Sequence, residues 1–351
     1  MEILNFLNAV KAPTGLWAKL INWFDGSITN YAVVIILLTL CIKVFMVPFD
    51  FYNRYITKKN TQMMVKMQPE LNKINKTYAN NPNMKNQKTA EVYKKHNYNV
   101  YGTCAGMLVY MILSMVIFFT LFSALNKMSA YKINEEFNTL HNTYNTTYNQ
   151  YYNSYETDKL TNTELVNITA DAYATGKAEV AVVEKYGEIK SSFLWIKNIW
   201  RPDSSVKVTL SYNKFLKETK QKEEPPVTEA EYNKVMQPIQ AEYKGWNGYF
   251  LIAILNALFS MGSMYITELI SKARAKKKNQ PYMNVSNRAM MIVMPIIMGL
   301  FTIFYNAGFG IYIATGGLFS MLTSPLISIL VDKIFEKKAA KEKSNKPSYS
   351  R

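Results

Sequence analysis

The sequence predicts an all-α polytopic membrane protein with five transmembrane helices, an outer interfacial helix, a cytosolic helical hairpin and a long outer loop. Three observations carry the prediction. Apolar residues gather into five blocks, 31–47, 107–125, 249–266, 290–305 and 310–331, each near the roughly 20 residues a helix needs to cross about 30 Å of hydrocarbon. None alternates as a lipid-facing barrel strand does, and in lipid the backbone must satisfy its own hydrogen bonds, so the spans are read as helices. Basic residues concentrate in every second connection.

That charge pattern sets the expected sidedness. Residues 51–103 hold 10 basic and 2 acidic side chains, 266–289 hold 6 and 1, and 332–351 hold 7 and 3. By contrast, 1–30 balance at 2 and 2, and 126–245 at 15 and 16. Excess Lys and Arg mark cytosolic loops, which puts the N-terminus outside and the C-terminus in the cytosol. The net charge of +16 is therefore a topology signal before it is a nucleic-acid signal.

Each element follows in order. Residues 1–30 form an outer N-terminal segment without the pattern of a cleavable signal. After Pro13 and Thr14, Trp17, Leu20, Ile21 and Phe24 recur at helical spacing, as in a helix that lies in the outer interface or packs on other protein. The first span, 31–49, contains Lys43, about 7–8 Å of helix rise before Pro48, which is expected to close it. A lysine at mid-bilayer costs roughly 2.5–3.5 kcal/mol, so it snorkels, pairs or faces a wet cavity. Residues 50–103 read as a cytosolic hairpin, with helices over 62–78 and 87–97 around the turn Asn80, Asn81 and Pro82. Met63, Met67, Leu71, Ile74 and Tyr78 share one face. They supply either a plain hairpin core or an adaptable apolar contact for partners.

The second span, 104–125, leads into an extracytoplasmic insertion, 126–245. Within it, 131–155 are rich in Asn, Tyr and Thr and show only a weak helical pattern. Phe193, Trp195, Ile196, Ile199 and Trp200 predict a return to the membrane interface, where aromatic rings are favoured. A helix over 229–243 then leads into the third span, 246–267. A basic cytosolic loop, 268–288, precedes the fourth span, 289–306. Residues 306–309 must turn the chain tightly into the fifth, 307–332. A basic cytosolic tail, 333–351, is expected to be disordered at its end.

Nothing in the residues argues for covalent chemistry, a cofactor or a metal, so no enzyme is expected. Cys41 and Cys104 make no disulfide framework. His96 and His141 fall on opposite sides of the membrane by this topology, too far apart for one metal site. No phosphate-binding loop is present, and Gly308 and Gly310 begin a GxG without its third glycine, which favours a role in close helix packing.

Several stretches jointly resemble the YidC-type membrane protein insertases of the YidC/Oxa family. Lys43 to Pro48 is similar to that family's first core helix, where a basic residue is followed by four apolar residues and Pro. Lys66-Met67-Gln68-Pro69-Glu70-Leu71, with Tyr78 beyond it, resembles the cytosolic hairpin. Phe193 to Asp203 resembles the segment before the third core helix. Met294-Pro295 and Ala307-Gly308 with Tyr312 look like the last two helices. The likeness covers about 15–125 and 190–335. There are departures: Lys43 stands for the usual arginine and loses its planar donor fork, Tyr110 for a Gln, Gly106 and Ile112 for prolines, Ile313 for a Trp, and 130–190 form an apparent insertion.

The resemblance implies an insertase of the bacterial plasma membrane that works without ATP. A water-filled groove, open to the cytosol and to lipid, would receive nascent membrane proteins and release their apolar segments into the bilayer. Lys43, Thr39, Tyr110, Ser114 and Thr315 are the expected substrate-binding residues. Expected partners are nascent membrane proteins, membrane lipids, the ribosome through the basic tail, and the Sec translocon. Polar residues in spans also serve as helix-to-helix glue, and positive-inside topology alone accounts for a basic tail. The alternatives in function are a small anion or lipid transporter using Lys43, which lacks the inverted repeat such transporters show, and a non-inserting assembly scaffold on the same fold.

Overall fold

The computed structural model describes residues 10–25, 30–98, 100–161, 165, 167–223, 225–277 and 288–344. Expectations for 278–287 in the basic loop and for 345–351 of the tail lie outside these. Among the described residues there are ten α-helices and no β-strand, only the isolated antiparallel bridges Phe193 to Ile196 and Pro202 to Asn306. The helices are α1 (Leu16–Asp25), α2 (Tyr31–Thr77), α3 (Pro82–Lys95), α4 (Val100–Thr161), α5 (Ala170–Ile189), α6 (Tyr212–Thr219), α7 (Glu229–Glu242), α8 (Leu251–Lys277), α9 (Arg288–Phe304) and α10 (Ala307–Ser344). Four of them, α2, α4, α8 and α10, are long and apolar enough to cross a membrane. α9 is apolar but has 17 residues, about 25 Å of rise.

Four of these helices, α2, α4, α8 and α10, outrun their expected ends, α8 by continuing to Lys277 into the expected basic loop. α2 continues through Pro48 and Pro69 for 47 residues. Proline removes one N–H and crowds the preceding turn, but one lost bond bends a helix whose later residues keep pairing and need not end it. α4 runs for 62 residues, about 93 Å, through the stretch whose helical pattern is weak. Its buried face there includes Asn134, Glu136 and Asn138 beside Ile133, Phe137 and Leu140. A polar residue on a buried face hides the period that hydrophobicity alone would show. The tail also stays helical as far as Ser344.

The chain divides into two compact units. The first comprises Met1–Thr39, Thr120–Met261 and Ser286–Gly317, and an irregular strap, 191–206, ties its elements together. Asn30 Nδ2 at the head of α2 donates to the Ser192 carbonyl (3.1 Å), and Ser129 Oγ of α4 donates to that of Trp200 (3.1 Å). At the head of α10, the Ala307 and Gly308 amides donate to the carbonyls of Arg201 and Ile199, both at 2.8 Å. Asn247, just before α8, accepts from the Asn198 amide (2.8 Å) and donates to the carbonyl of the same residue (2.8 Å). Ile196, Ile199 and Trp200 are buried, and Trp200 meets Tyr31 edge-on at 5.5 Å.

Beneath the strap, Arg201 Nη2 donates to Glu136 Oε1 at 3.0 Å, and Asn198 Nδ2 to Glu136 Oε2 at 2.8 Å. All three residues are buried. Ala174, Ala178, Val182 and Tyr186, spaced four apart on α5, are buried, as are Tyr232, Val235, Met236 and Ile239 on α7. These two helices pack on each other. Small residues bring α8, α9 and α10 close: a Cβ on Gly299 would meet the Ala253 carbonyl at 3.1 Å, and one on Gly310 would overlap Ile252. Gly310 thus serves helix packing, as expected of the incomplete GxG. Asn306 caps α10 by accepting the Phe309 amide at 2.9 Å, so the turn after α9 needs only two residues. In α1, Ala18 and Ile21 are buried and Trp17 Nε1 donates to Thr120 (2.9 Å), while Leu16 and Trp23 are exposed.

The second unit comprises Leu40–Phe119, Gly262–Val285 and Leu318–Arg351. Its hairpin joins the end of α2 to α3, whose first turn is capped by Asn81 with Pro82 at the opening position. Met67, Leu71 and Val92 form its core, with Met63, Ile74, Tyr93 and Tyr98 against them. Met67 is fully buried, the plain-core use of that methionine. Elsewhere in this unit apolar side chains face outward in helical stripes, such as Leu318, Leu322, Leu326 and Leu330 on α10. In water such a stripe would be an aggregation surface; in a bilayer it is the solvent-matched face.

Candidate functional site

The candidate site lies in the second unit on α2, where Lys43, Asp50 and Arg54 recur at seven and four residues. At about 100° per residue these positions fall within about 40° of one another, so one face carries all three. Lys43 is half-buried, beside exposed Val44 and Phe45 and buried Met46. Among the described residues it has no hydrogen-bond or ion-pair partner, although Asp50 acts on it electrostatically.

Asp50 and Arg54 are joined one turn apart: Arg54 Nε donates to both carboxylate oxygens at 3.1 Å. The other arms of the guanidinium reach α10, Nη1 to Ser328 Oγ at 3.0 Å and Nη2 to Ser324 Oγ at 2.9 Å. Tyr110 of α4 feels both Asp50 and Arg54. Further along α2, Lys58 bonds to Asp332 (3.0 Å), which also takes Arg274 of α8 (2.8 Å). Tyr55 stacks on Phe335 at 5.0 Å and accepts from Lys338 at 2.6 Å. A ladder of charge-assisted bonds therefore fastens this part of α2 to α10 within the second unit.

The five residues expected from sequence are not all brought together. Lys43 and Tyr110 share the surroundings of Asp50. Ser114 stands one turn beyond Tyr110 on α4, and its hydroxyl donates to the Met111 carbonyl (2.8 Å). Thr39 and Thr315 belong to the first unit. Thr39 is buried and donates to the Ile35 carbonyl at 2.6 Å, so its hydroxyl is committed to its own helix; Thr315 is half-buried on α10. Among the described residues no three His, Cys, Asp or Glu side chains form a group able to hold a metal ion.

The family model described as 60Kd inner membrane protein matches residues 23–333. The chain belongs to this family. It is 37% identical over 108 residues to the Membrane protein insertase YidC of Fusobacterium nucleatum subsp. nucleatum, a match covering 31% of this chain and 49% of that protein. It is 37% identical over 123 residues to the Membrane protein insertase YidC 1 of Streptococcus pyogenes serotype M6, covering 33% and 41%. With the Membrane protein insertase YidC of Magnetococcus marinus it shares 33% over 107 residues, covering 30% and 18%. The chain thus spans less than half the length of each of these relatives. No solved structure matches it.

In this member of the 60Kd inner membrane protein family, sequence reasoning missed Asp50, Arg54, Ser324 and Ser328. A signal was present. Asp50 and Arg54 stand one turn apart immediately after Pro48, and Ser324 and Ser328 repeat that spacing in the last apolar block. The expectation that Pro48 ends the span broke the face between Lys43 and Asp50 and so hid their common register.

Proposed function

We propose that the chain is a membrane protein insertase of the bacterial plasma membrane. It spans the membrane five times with α9 as the fourth span, its N-terminus outside and its C-terminus in the cytosol. Nascent membrane proteins enter a hydrophilic groove open to the cytosol, and their apolar segments partition into lipid without ATP or covalent chemistry. The observation that most supports this reading is Lys43 itself. An ammonium on an apolar helix with no resident partner among the described residues is costly unless it meets water or an anion, and an acidic residue on a substrate's hydrophilic flank supplies the anion. Tyr110 offers a neutral donor on α4 within the same unit.

Depletion of the protein, followed by protease protection of newly made single-span proteins, tests the reading. Complementation with Lys43→Ala should lose insertion of substrates with acidic flanks by about tenfold, and Lys43→Arg should retain it; equal rescue by both would reject a role for the charge. The hairpin of α2 and α3 receives emerging substrate, the basic tail approaches ribosomal RNA, and the Sec translocon is a further partner. Deleting residues 333–351 should abolish a salt-sensitive ribosome interaction; an interaction that survives the deletion rejects that role.

A further inference from the structure

We propose that Arg54 is a positioning residue: it pins the Asp50 carboxylate and cancels its charge, leaving the Lys43 ammonium for the acidic group of an incoming substrate. The inference rests on the insertase reading above and adds to it the device that keeps the cation available.

Asp50 lies two turns beyond Lys43 on the same face, about 10–11 Å along the axis, and its field reaches Lys43. Left alone, it would act as a resident counter-ion, and its own charge would repel an acidic flank. Both of its oxygens are instead taken by Arg54 Nε at 3.1 Å. The guanidinium is in turn anchored by Ser324 and Ser328 at 2.9 and 3.0 Å, so all three of its nitrogens are engaged and it is held in place. A planar fork suits this task, since one lysine could not hold the carboxylate and both hydroxyls in a fixed geometry. With the Asp50–Arg54 pair close to neutral, Lys43 is left as the uncompensated charge on this face. At the effective dielectric of a partly buried site, unmasking a carboxylate about 10 Å away lowers the attraction for an anion by roughly three- to tenfold.

The full chain, reconstituted in lipid vesicles, is tested with two single-span substrates that differ only in an acidic or a neutral flank. The readout is the ratio of their protease-protected fractions. Arg54→Gln should lower the acidic-to-neutral ratio by about three- to tenfold. Asp50→Asn should leave it at or above the wild-type value, and Arg54→Gln combined with Asp50→Asn should restore it. If Arg54 were only a tether to α10, Arg54→Gln would depress both substrates alike and Asp50→Asn would not rescue, since the serine bonds stay lost; that result overturns the proposal. Should Arg54→Gln fail to fold, Arg54→Met with and without Asp50→Asn makes the same comparison, since it too removes the charge that cancels Asp50. If Lys43→Ala leaves the ratio at wild type, the insertase reading of Lys43 has failed. If Lys43→Ala lowers it and Arg54→Gln does not, only the role of Arg54 has.

Discussion

Arg201 shows how one side chain can hold an irregular segment in place. It is almost wholly buried, paired with Glu136 at 3.0 Å and bonded to the Val208 carbonyl at 3.3 Å. A buried pair gains little over well-packed apolar residues, but removing one partner strands the other charge. Arg201→Met should therefore destabilise the first unit by about 3–5 kcal/mol, and adding Glu136→Gln should recover part of the loss, as read by thermal unfolding in detergent. Gly310 offers a second test at this scale. A methyl group there would overlap Ile252 of α8, so Gly310→Ala should cost about 1–3 kcal/mol by forcing α8 and α10 apart, which a lowered melting midpoint would report.

At the scale of elements, α7 carries a complete capping box. Glu231 accepts from the Thr228 amide and hydroxyl at 2.8 Å, while Thr228 Oγ1 accepts the Glu231 amide at 3.3 Å. These bonds to Thr228, the amide first, hold the Glu231 carboxyl below its ordinary value. A carboxyl depressed in the folded state stabilises α7 fully above the ordinary glutamate range and loses that contribution as pH falls through the lowered value. Amide exchange in α7, corrected for intrinsic rates, should rise as pH drops below about 4 and be insensitive to this step in Glu231→Gln. Thr228→Ala should cost about 0.5–2 kcal/mol at neutral pH, seen as faster exchange confined to the first turns of α7.

Element type was largely legible in the residues; element length was not. Apolar runs of span length pointed to α2, α8 and α10, because that signal is local, whereas Asn81 and Pro82, read as a turn before a helix over 87–97, cap and open α3 five residues earlier. The ends of α2 and α4 escaped because proline and buried polar residues are read as breaks, whereas the packing that overrides them is distant in sequence. The same limit divides the candidate site. Lys43 stood out as a charge inside an apolar run, while Asp50 and Arg54 gain meaning only through Ser324 and Ser328, some 270 residues away.

Across the whole molecule, the division into units falls within each of α2, α4, α8 and α10, between 39 and 40, 119 and 120, 261 and 262, and 317 and 318. Each unit has its own polar fastening, the strap with Arg201 in the first and the charge ladder along α2 in the second. On the proposed topology, the first carries the outer insertion and the second the cytosolic hairpin. Single cysteines placed at Lys11 and at Lys341, in a variant lacking Cys41 and Cys104, should react with a membrane-impermeant thiol reagent from opposite sides of intact cells and inverted vesicles. Labelling of both from one side would reject an odd number of spans.

The strap also dictates an order of assembly during synthesis. When residue 206 leaves the ribosome, the groups it will bond at Asn30, Ser129 and Glu136 already exist, but Asn247 and Ala307 have not been made. The Ile199 carbonyl, filled in the finished chain by the Gly308 amide, must wait for the last helix, while the Arg201 carbonyl has Asn247 Nδ2 at 3.3 Å before the Ala307 amide arrives. A nascent chain interrupted before Ala307 would hold the Ile199 acceptor open, and such fragments should be degraded quickly while the complete chain persists.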